Sequence, residues 1–103
     1  MSVKLLMKWD IKQEQQQEYF EFVVREWGPG LNRLGVELIG LWLTTYTRDG
    51  ETQQIMAEGL TEDMASMRKI LGSAEWQRLH DRLLECVTNY SQKVVRTAGE
   101  FQL

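Results

Sequence analysis

Twice along this chain the spacing of apolar residues changes from every second position to every third or fourth, and then back again. An order of that kind leaves few folds open. In residues 3–11, Val3, Leu5, Met7, Trp9 and Ile11 fall on one side, with Lys4, Leu6, Lys8 and Asp10 on the other. Successive strand residues point to opposite faces, so this segment is predicted to be a strand with one well-buried face. From Gln13 the period lengthens, and Tyr19, Phe20, Val23, Val24 and Trp27 recur at helical spacing in a run rich in Gln and Glu. Gly28-Pro29-Gly30 should kink or restart this helix, because proline lacks an amide donor and crowds the preceding turn. Leu31 and Leu34 continue the stripe, and Gly35 is a fitting C-terminal stop.

Residues 37–47 read as a second strand that is apolar on both sides. Leu38, Trp42, Thr44 and Tyr46 share one face; Ile39, Leu41, Leu43 and Thr45 share the other. Asp49-Gly50 has the chemistry of a two-residue hairpin turn. That turn would pair residues whose numbers sum to 99, setting Trp42 opposite Ala57 and Leu41 opposite Glu58, with a third strand over Thr52–Leu60. Thr61 is the expected cap of a short helix carrying Met64, Met67, Ile70 and Leu71. Gly72 ends that helix and Ser73 caps the next, predicted over 74–89, where Trp76, Leu79, His80, Leu83, Leu84 and Val87 form one stripe. Tyr90–Ala98 has the β-branched character of a fourth strand, and Gly99–Leu103 reads as a tail.

The implied order is βαββαβ, an α+β ferredoxin-like arrangement over residues 1–103 as one domain. Two right-handed crossovers would place both helices on a single face of a four-stranded antiparallel sheet. Ile39, Leu41, Leu43, Met56 and Leu60 would then lie on the opposite face with nothing from their own chain to cover them. Leaving such side chains wet forfeits about 1.5–3 kcal/mol each, a large share of what a small domain can spare. A second copy packed sheet to sheet would bury them, so a homodimer through the sheet face is expected, with Lys4 and Lys8 limiting burial toward the first strand.

The strand VKLLMKWDI, the helix within EYFEFVVREWGPGLNRLG, the strand ELIGLWLTTYT and the segment SAEWQRLHDRLL before a last strand resemble the dimeric α+β-barrel superfamily. Within it the likeness is to NIPSNAP-like and antibiotic-biosynthesis-monooxygenase-like proteins, over about residues 3–98. The resemblance implies a dimeric α+β barrel. It also implies a choice among cofactor-independent monooxygenases, heme degraders, isomerases and proteins without known activity, since a fold does not fix a function. Heme-degrading relatives pair a histidine on this helix with an asparagine on the first strand. The first strand here has no asparagine, which argues against heme breakdown.

Several function classes find no footing. The formal net charge is −3 and the basic residues are scattered, unlike the basic stripe of a nucleic-acid binder. With one histidine and one cysteine, no Cys/His zinc cluster can form, and no phosphate-binding or nucleophile-elbow motif occurs. No cofactor is therefore expected. The start of the chain lacks a signal-peptide core and no window is apolar enough to span a membrane, so a cytoplasmic location is expected.

His80, the one histidine, lies one helical turn beyond Trp76. It is the candidate catalytic base of a pocket lined by Trp9, Trp42, Tyr46 and Trp76, suited to a small aromatic ligand. The competing reading is a histidine at the edge of the core, with the tryptophans as packing. Glu58 is a further candidate binding residue. Ringed by Leu41, Leu43, Met56 and Leu60, its carboxyl pKa would rise, unless Lys4 or Lys8 pairs with it.

Overall fold

A computed structural model describes residues 2–45 and 53–96. Four strands, β1 (Val3–Ile11), β2 (Glu37–Thr45), β3 (Gln53–Thr61) and β4 (Val87–Arg96), form one antiparallel sheet in the order β2-β3-β1-β4. The helices α1 (Gln16–Phe22), α2 (Gly28–Leu34), α3 (Met64–Leu71) and α4 (Ala74–Cys86) pack on one side. This is the ferredoxin-like α+β fold expected from the order of periods. Val3, Leu5, Met7, Trp9 and Ile11 are all buried beneath the helices, as the alternation in β1 requires. They meet Tyr19, Phe22, Trp27 and Leu31 from the first crossover and Met67, Ile70, Trp76, Leu79 and Leu83 from the second.

The break expected at Gly28-Pro29-Gly30 takes the form of a wider, π-helical turn over Val23–Trp27. There the Gly28 amide donates to the Val23 carbonyl, five residues back. Pro29 then falls in the first turn of α2, where a missing amide costs nothing. Gly35 ends α2 at φ 102°, a conformation that glycine adopts without strain. Gly30 lets α2 approach α4 closely: a Cβ there would stand 2.6 Å from Leu79 Cδ1.

Two caps differ in outcome. Ser73 caps α4 as expected, its Oγ accepting from the Trp76 amide at 3.1 Å. The cap of α3 is Asp63, whose carboxylate accepts from the Ser66 amide at 2.8 Å. Thr61 is instead the last residue of β3, buried, with its hydroxyl donating to the Asp63 carbonyl. The last helix also stops at Cys86 rather than 89, because Val87 is already extended and pairs with Ile11.

The hairpin register differs from expectation by one residue. Leu41 pairs with Ala57 and Trp42 with Met56, so Glu58 stands opposite Gly40. Between Leu38 and Gly40 the pairing shifts, leaving Ile39 as a bulge residue on β2. A slip of one exchanges the faces of a strand. Leu41 and Leu43 therefore share the side of buried Ala57 and Ile55, and Trp42 joins Met56 on the open side. Both leucines are nevertheless exposed, because β2 is the outermost strand on that edge. The Asp49-Gly50 turn and the Gly99–Leu103 tail lie outside the described residues.

The approach of α2 to α4 gives a direct test. Gly30→Val should destabilise the fold by about 1–3 kcal/mol through overpacking, measured by urea denaturation. Combined with Leu79→Ala, the loss should be smaller than the sum of the two single losses; strict additivity would mean that the helices do not meet there.

Candidate functional site

A line of aromatic rings runs from α4 to β1 through β4. On α4, Trp76 and His80 are four residues apart and so lie one above the other on the helix face. Their rings stack at 5.3 Å and 14°. Beneath His80 stands Tyr90, ring to ring at 4.6 Å and 73°. Tyr90 in turn lies flat on Trp9, at 5.8 Å and 11°. Trp9 is fully buried and meets Trp27 edge-on at 5.5 Å. Its indole Nε1 donates to the Tyr19 hydroxyl at 2.9 Å, which satisfies a polar group that burial would otherwise leave costly.

Tyr90 reaches this position through a second bulge. Lys8 pairs with Ser91 and Asp10 with Thr88, so Asn89 and Tyr90 together oppose Trp9. Asn89 takes φ 56°, in the left-handed region that asparagine tolerates better than most residues. Its side-chain amide donates to Asp10 Oδ2 at 2.8 Å. The extra residue reverses the facing of every later position in the strand. Val87 points beneath the helices before the bulge, and Tyr90 and Val94 do so after it, where strict alternation would have sent Tyr90 to the open side.

The electrostatics of the line derive from burial. Desolvation pushes the His80 pKa below its usual 6.5, partly opposed by the nearby Asp81 carboxylate. The imidazole is therefore neutral near pH 7, and its Nδ1 is shut from solvent with no hydrogen-bond partner among the described residues. Burial pushes the Tyr19 hydroxyl up to about 12, against the opposing bond from Trp9. Burial likewise raises the Tyr90 hydroxyl, which donates to Gln92 Oε1 at 2.7 Å. A neutral imidazole thus stands among aromatic rings.

Of the residues expected to line one pocket, Trp9, Trp76 and His80 are brought together. Trp42 is not. It sits 49% exposed on the far side of the sheet, its indole folded over Gly40. Glu58 is also on that far side, paired with Lys4 at 3.3 Å. Met56 and Leu60 flank it on that face as expected, but Leu6 and Gly40 lie opposite it in place of Leu41 and Leu43. Tyr46 lies outside the described residues. Tyr90 was missed, because reading it as the first residue of a plain strand gave no reason to turn it inward. The one available signal was an asparagine directly before it, a residue suited to positive φ.

Hollows at the surface of the described residues include three, none of which is lined by His80. One of about 520 Å³ lies among Leu34, Gly35, Glu62, Ser66, Lys69, Ile70 and Ser73. A second of about 410 Å³ opens on the far sheet face between Leu6, Lys8, Met56, Glu58 and the Ser91–Lys93 stretch. The third, of about 330 Å³, is a charged groove between α1 and Arg82. Around His80 the rings are in mutual contact instead. Cys86 is buried and its thiol pKa is raised by desolvation, the opposite of an activated nucleophile. Among the described residues no group of three His, Cys, Asp or Glu side chains is placed to hold a metal ion. No described helix is long and apolar enough to cross a membrane.

Comparison with known proteins rests on shape. No family model and no curated protein matches the sequence. Solved structures do match over nearly the whole chain. An uncharacterized NIPSNAP-like domain protein from Burkholderia xenovorans is 16% identical, with TM-score 0.68, over 99% of this chain and 89% of that one. A candidate antibiotic biosynthesis monooxygenase from Deinococcus radiodurans is 10% identical, with TM-score 0.71, over 98% and 97%. SnoaB, a cofactor-independent oxygenase from Streptomyces nogalater, is 14% identical, with TM-score 0.68, over 99% and 98%. The fold is thus that of NIPSNAP and antibiotic-biosynthesis-monooxygenase-like proteins.

The lowered His80 pKa carries a sign. The unfolded chain binds a proton at its ordinary value while the folded chain still resists it, so stability is complete above 6.5 and falls as pH drops toward the folded pKa. Thermal midpoints measured from about pH 8 to about pH 5 should decline, and His80→Gln should flatten that decline. An unchanged slope in the variant would show that the imidazole is not desolvated.

Proposed function

We propose that this chain works as a homodimer that binds a small aromatic or polyketide-like compound on the helix side of its sheet, with His80 as the base of a cofactor-independent oxygenation or isomerisation. One observation carries the reading: a neutral imidazole, framed by Trp76 and Tyr90, whose Nδ1 has no partner among the described residues. A buried polar atom without a partner is uncommon in a native fold and calls for an explanation, of which a ligand group is one. A base in apolar surroundings takes a proton from an acidic ring hydroxyl or activated carbon, and the aromatic walls hold the resulting anion flat. In an oxygenation, that electron-rich anion is itself the reductant of dioxygen: one oxygen atom stays in the product as a carbonyl and the other leaves as water. SnoaB, whose fold this chain shares, is a cofactor-independent oxygenase, which supports the reaction class.

The dimer belongs to the same proposal. On the open side of the sheet Leu6, Met56, Leu60 and Trp42 lie with no helix over them, Trp42 and Met56 at 49% and 36% exposure. On the edge strand Ile39, Leu41 and Leu43 add exposed apolar surface. A monomer rarely leaves such apolar area wet; a second sheet laid on the open side would shelter Leu6, Met56, Leu60 and Trp42, whereas Leu41 and Leu43 face the helix side at the sheet's edge. A cytoplasmic location rests on the lone thiol of Cys86, which suits a reducing compartment.

A second reading has its own support. The rings around His80 touch one another, as packing alone would arrange them, which favours a non-catalytic dimer that binds a protein partner.

Two measurements separate these readings. Oxygen uptake with a panel of hydroxylated aromatic compounds should reveal turnover that falls about 10²-fold or more in His80→Ala, the contribution of a positioned base. Equal turnover in the variant removes His80, and no turnover or binding across the panel favours the second reading. Sedimentation should give a dimer mass for the native chain and a monomer mass for Trp42→Glu, which puts a charge in the apolar face. A native monomer would overturn the assembly.

A further inference from the structure

If the His80 region binds an aromatic compound, something must account for its being full. The ring that fills it is Tyr90, and several features set this residue apart from ordinary packing. Tyr90 stands on β4, an outer strand of the sheet, whereas Trp9 beneath it is on an inner one. It faces inward only because of the bulge, and the bulge holds Asn89 in a backbone conformation that costs a non-glycine residue free energy. Its hydroxyl is tied to Gln92, an exposed side chain two residues along the same strand, and to nothing on the helices. Asp10, which accepts from Asn89 through Oδ2, keeps a buried Oδ1 with no partner. So the backbone that turns Tyr90 inward is strained, and the polar group of Tyr90 is fixed only at the rim.

The interior side is the reverse. Trp9 is anchored by Tyr19 and wedged against Trp27, and His80 is stacked on Trp76. Remove the Tyr90 ring, and a slot remains with one flat wall, the Trp9 indole, and one edge, the His80 imidazole. Its thickness is that of a single aromatic ring, since the phenol of Tyr90 fills it.

We propose that this slot is a binding site for one flat ring bearing a hydroxyl, and that Tyr90 is its resident occupant, displaced when the ligand enters. The inference rests on the proposed aromatic-binding function and adds what shuts the site. A phenolic ligand stacks on Trp9 as Tyr90 does, so the indole keeps a ring against its face throughout the exchange. The ligand hydroxyl gives His80 Nδ1 the partner that Tyr90 does not supply, because the Tyr90 hydroxyl is spent on Gln92. Outward movement of Tyr90 lets the Asn89 backbone relax toward ordinary extended pairing. Those two gains bias the exchange toward the ligand.

The test uses p-cresol, which is the tyrosine side chain as a free molecule, with toluene as the control that lacks the hydroxyl. Titrations of the whole chain are followed by tryptophan fluorescence and by ligand-observed NMR. Tyr90→Ala should bind p-cresol on the order of tenfold more tightly than the native chain, since no occupant has to leave. It should prefer p-cresol to toluene, and adding His80→Phe should abolish that preference. Should Tyr90→Ala fail to fold, Asn89→Val serves in its place: a β-branched residue resists positive φ, releases Tyr90, and should also tighten p-cresol binding. Equal affinity in the native chain and the releasing variant would overturn the occupant role while leaving an aromatic site in place. No binding of either compound to any of these chains would overturn the aromatic-binding reading and this inference together.

Discussion

The fold turns on one indole that is wholly enclosed yet not left polar and unpaired. Trp9 sits on an inner strand of the sheet, and its nitrogen has a partner only because Tyr19, on the first helix, brings a hydroxyl to 2.9 Å. Three further constraints converge on the same ring: the π turn supplies Trp27, the bulge in β4 supplies Tyr90, and β1 must present its odd residues inward. Each is a local departure or pattern that has little purpose alone. Together they close the core around a side chain large enough to set the distance between helices and sheet. His80 then inherits its surroundings, since the ring it meets beneath α4 is the one lying on Trp9.

Much of this architecture could be read from the residues. The alternation in β1 gives its bounds without error, Gly35 stops α2, and Ser73 starts α4 through the same hydroxyl that its type suggests. The order of periods gives the βαββαβ fold. What could not be read is where a strand takes an extra residue. Ile39 is an ordinary strand residue whose one sign of irregularity is the glycine directly after it, yet it bulges, and everything beyond it in β2 changes sides. The expected set of uncovered side chains was therefore wrong in its members, Trp42 replacing Leu41 and Leu43, while the existence of an uncovered apolar face was correctly foreseen.

The site was legible to the extent that it lies on one helix. Trp76 and His80 are placed together by i, i+4 geometry, which needs no knowledge of the rest. Trp9 joins them because its face was certain. Trp42 did not, since its face depended on a hairpin register that the bulge altered; Glu58 stays on the uncovered face where it was expected, and Lys4 pairs with it as the ion-pair reading allowed. The residue between His80 and Trp9 was the one that sequence reasoning passed over. A positive φ at Asn89 is a tertiary outcome that residue type permits but does not announce.

Both outer strands of the sheet carry a bulge, Ile39 in β2 and Asn89 in β4. A flat, regular rim offers its unpaired amides and carbonyls to any passing strand, which is how sheets grow from molecule to molecule into fibres. A bulge bends and twists the rim so that the ladder cannot simply be continued. The same one-residue insertions that misdirect a reading of the faces therefore also make each rim a poorer template for lateral growth.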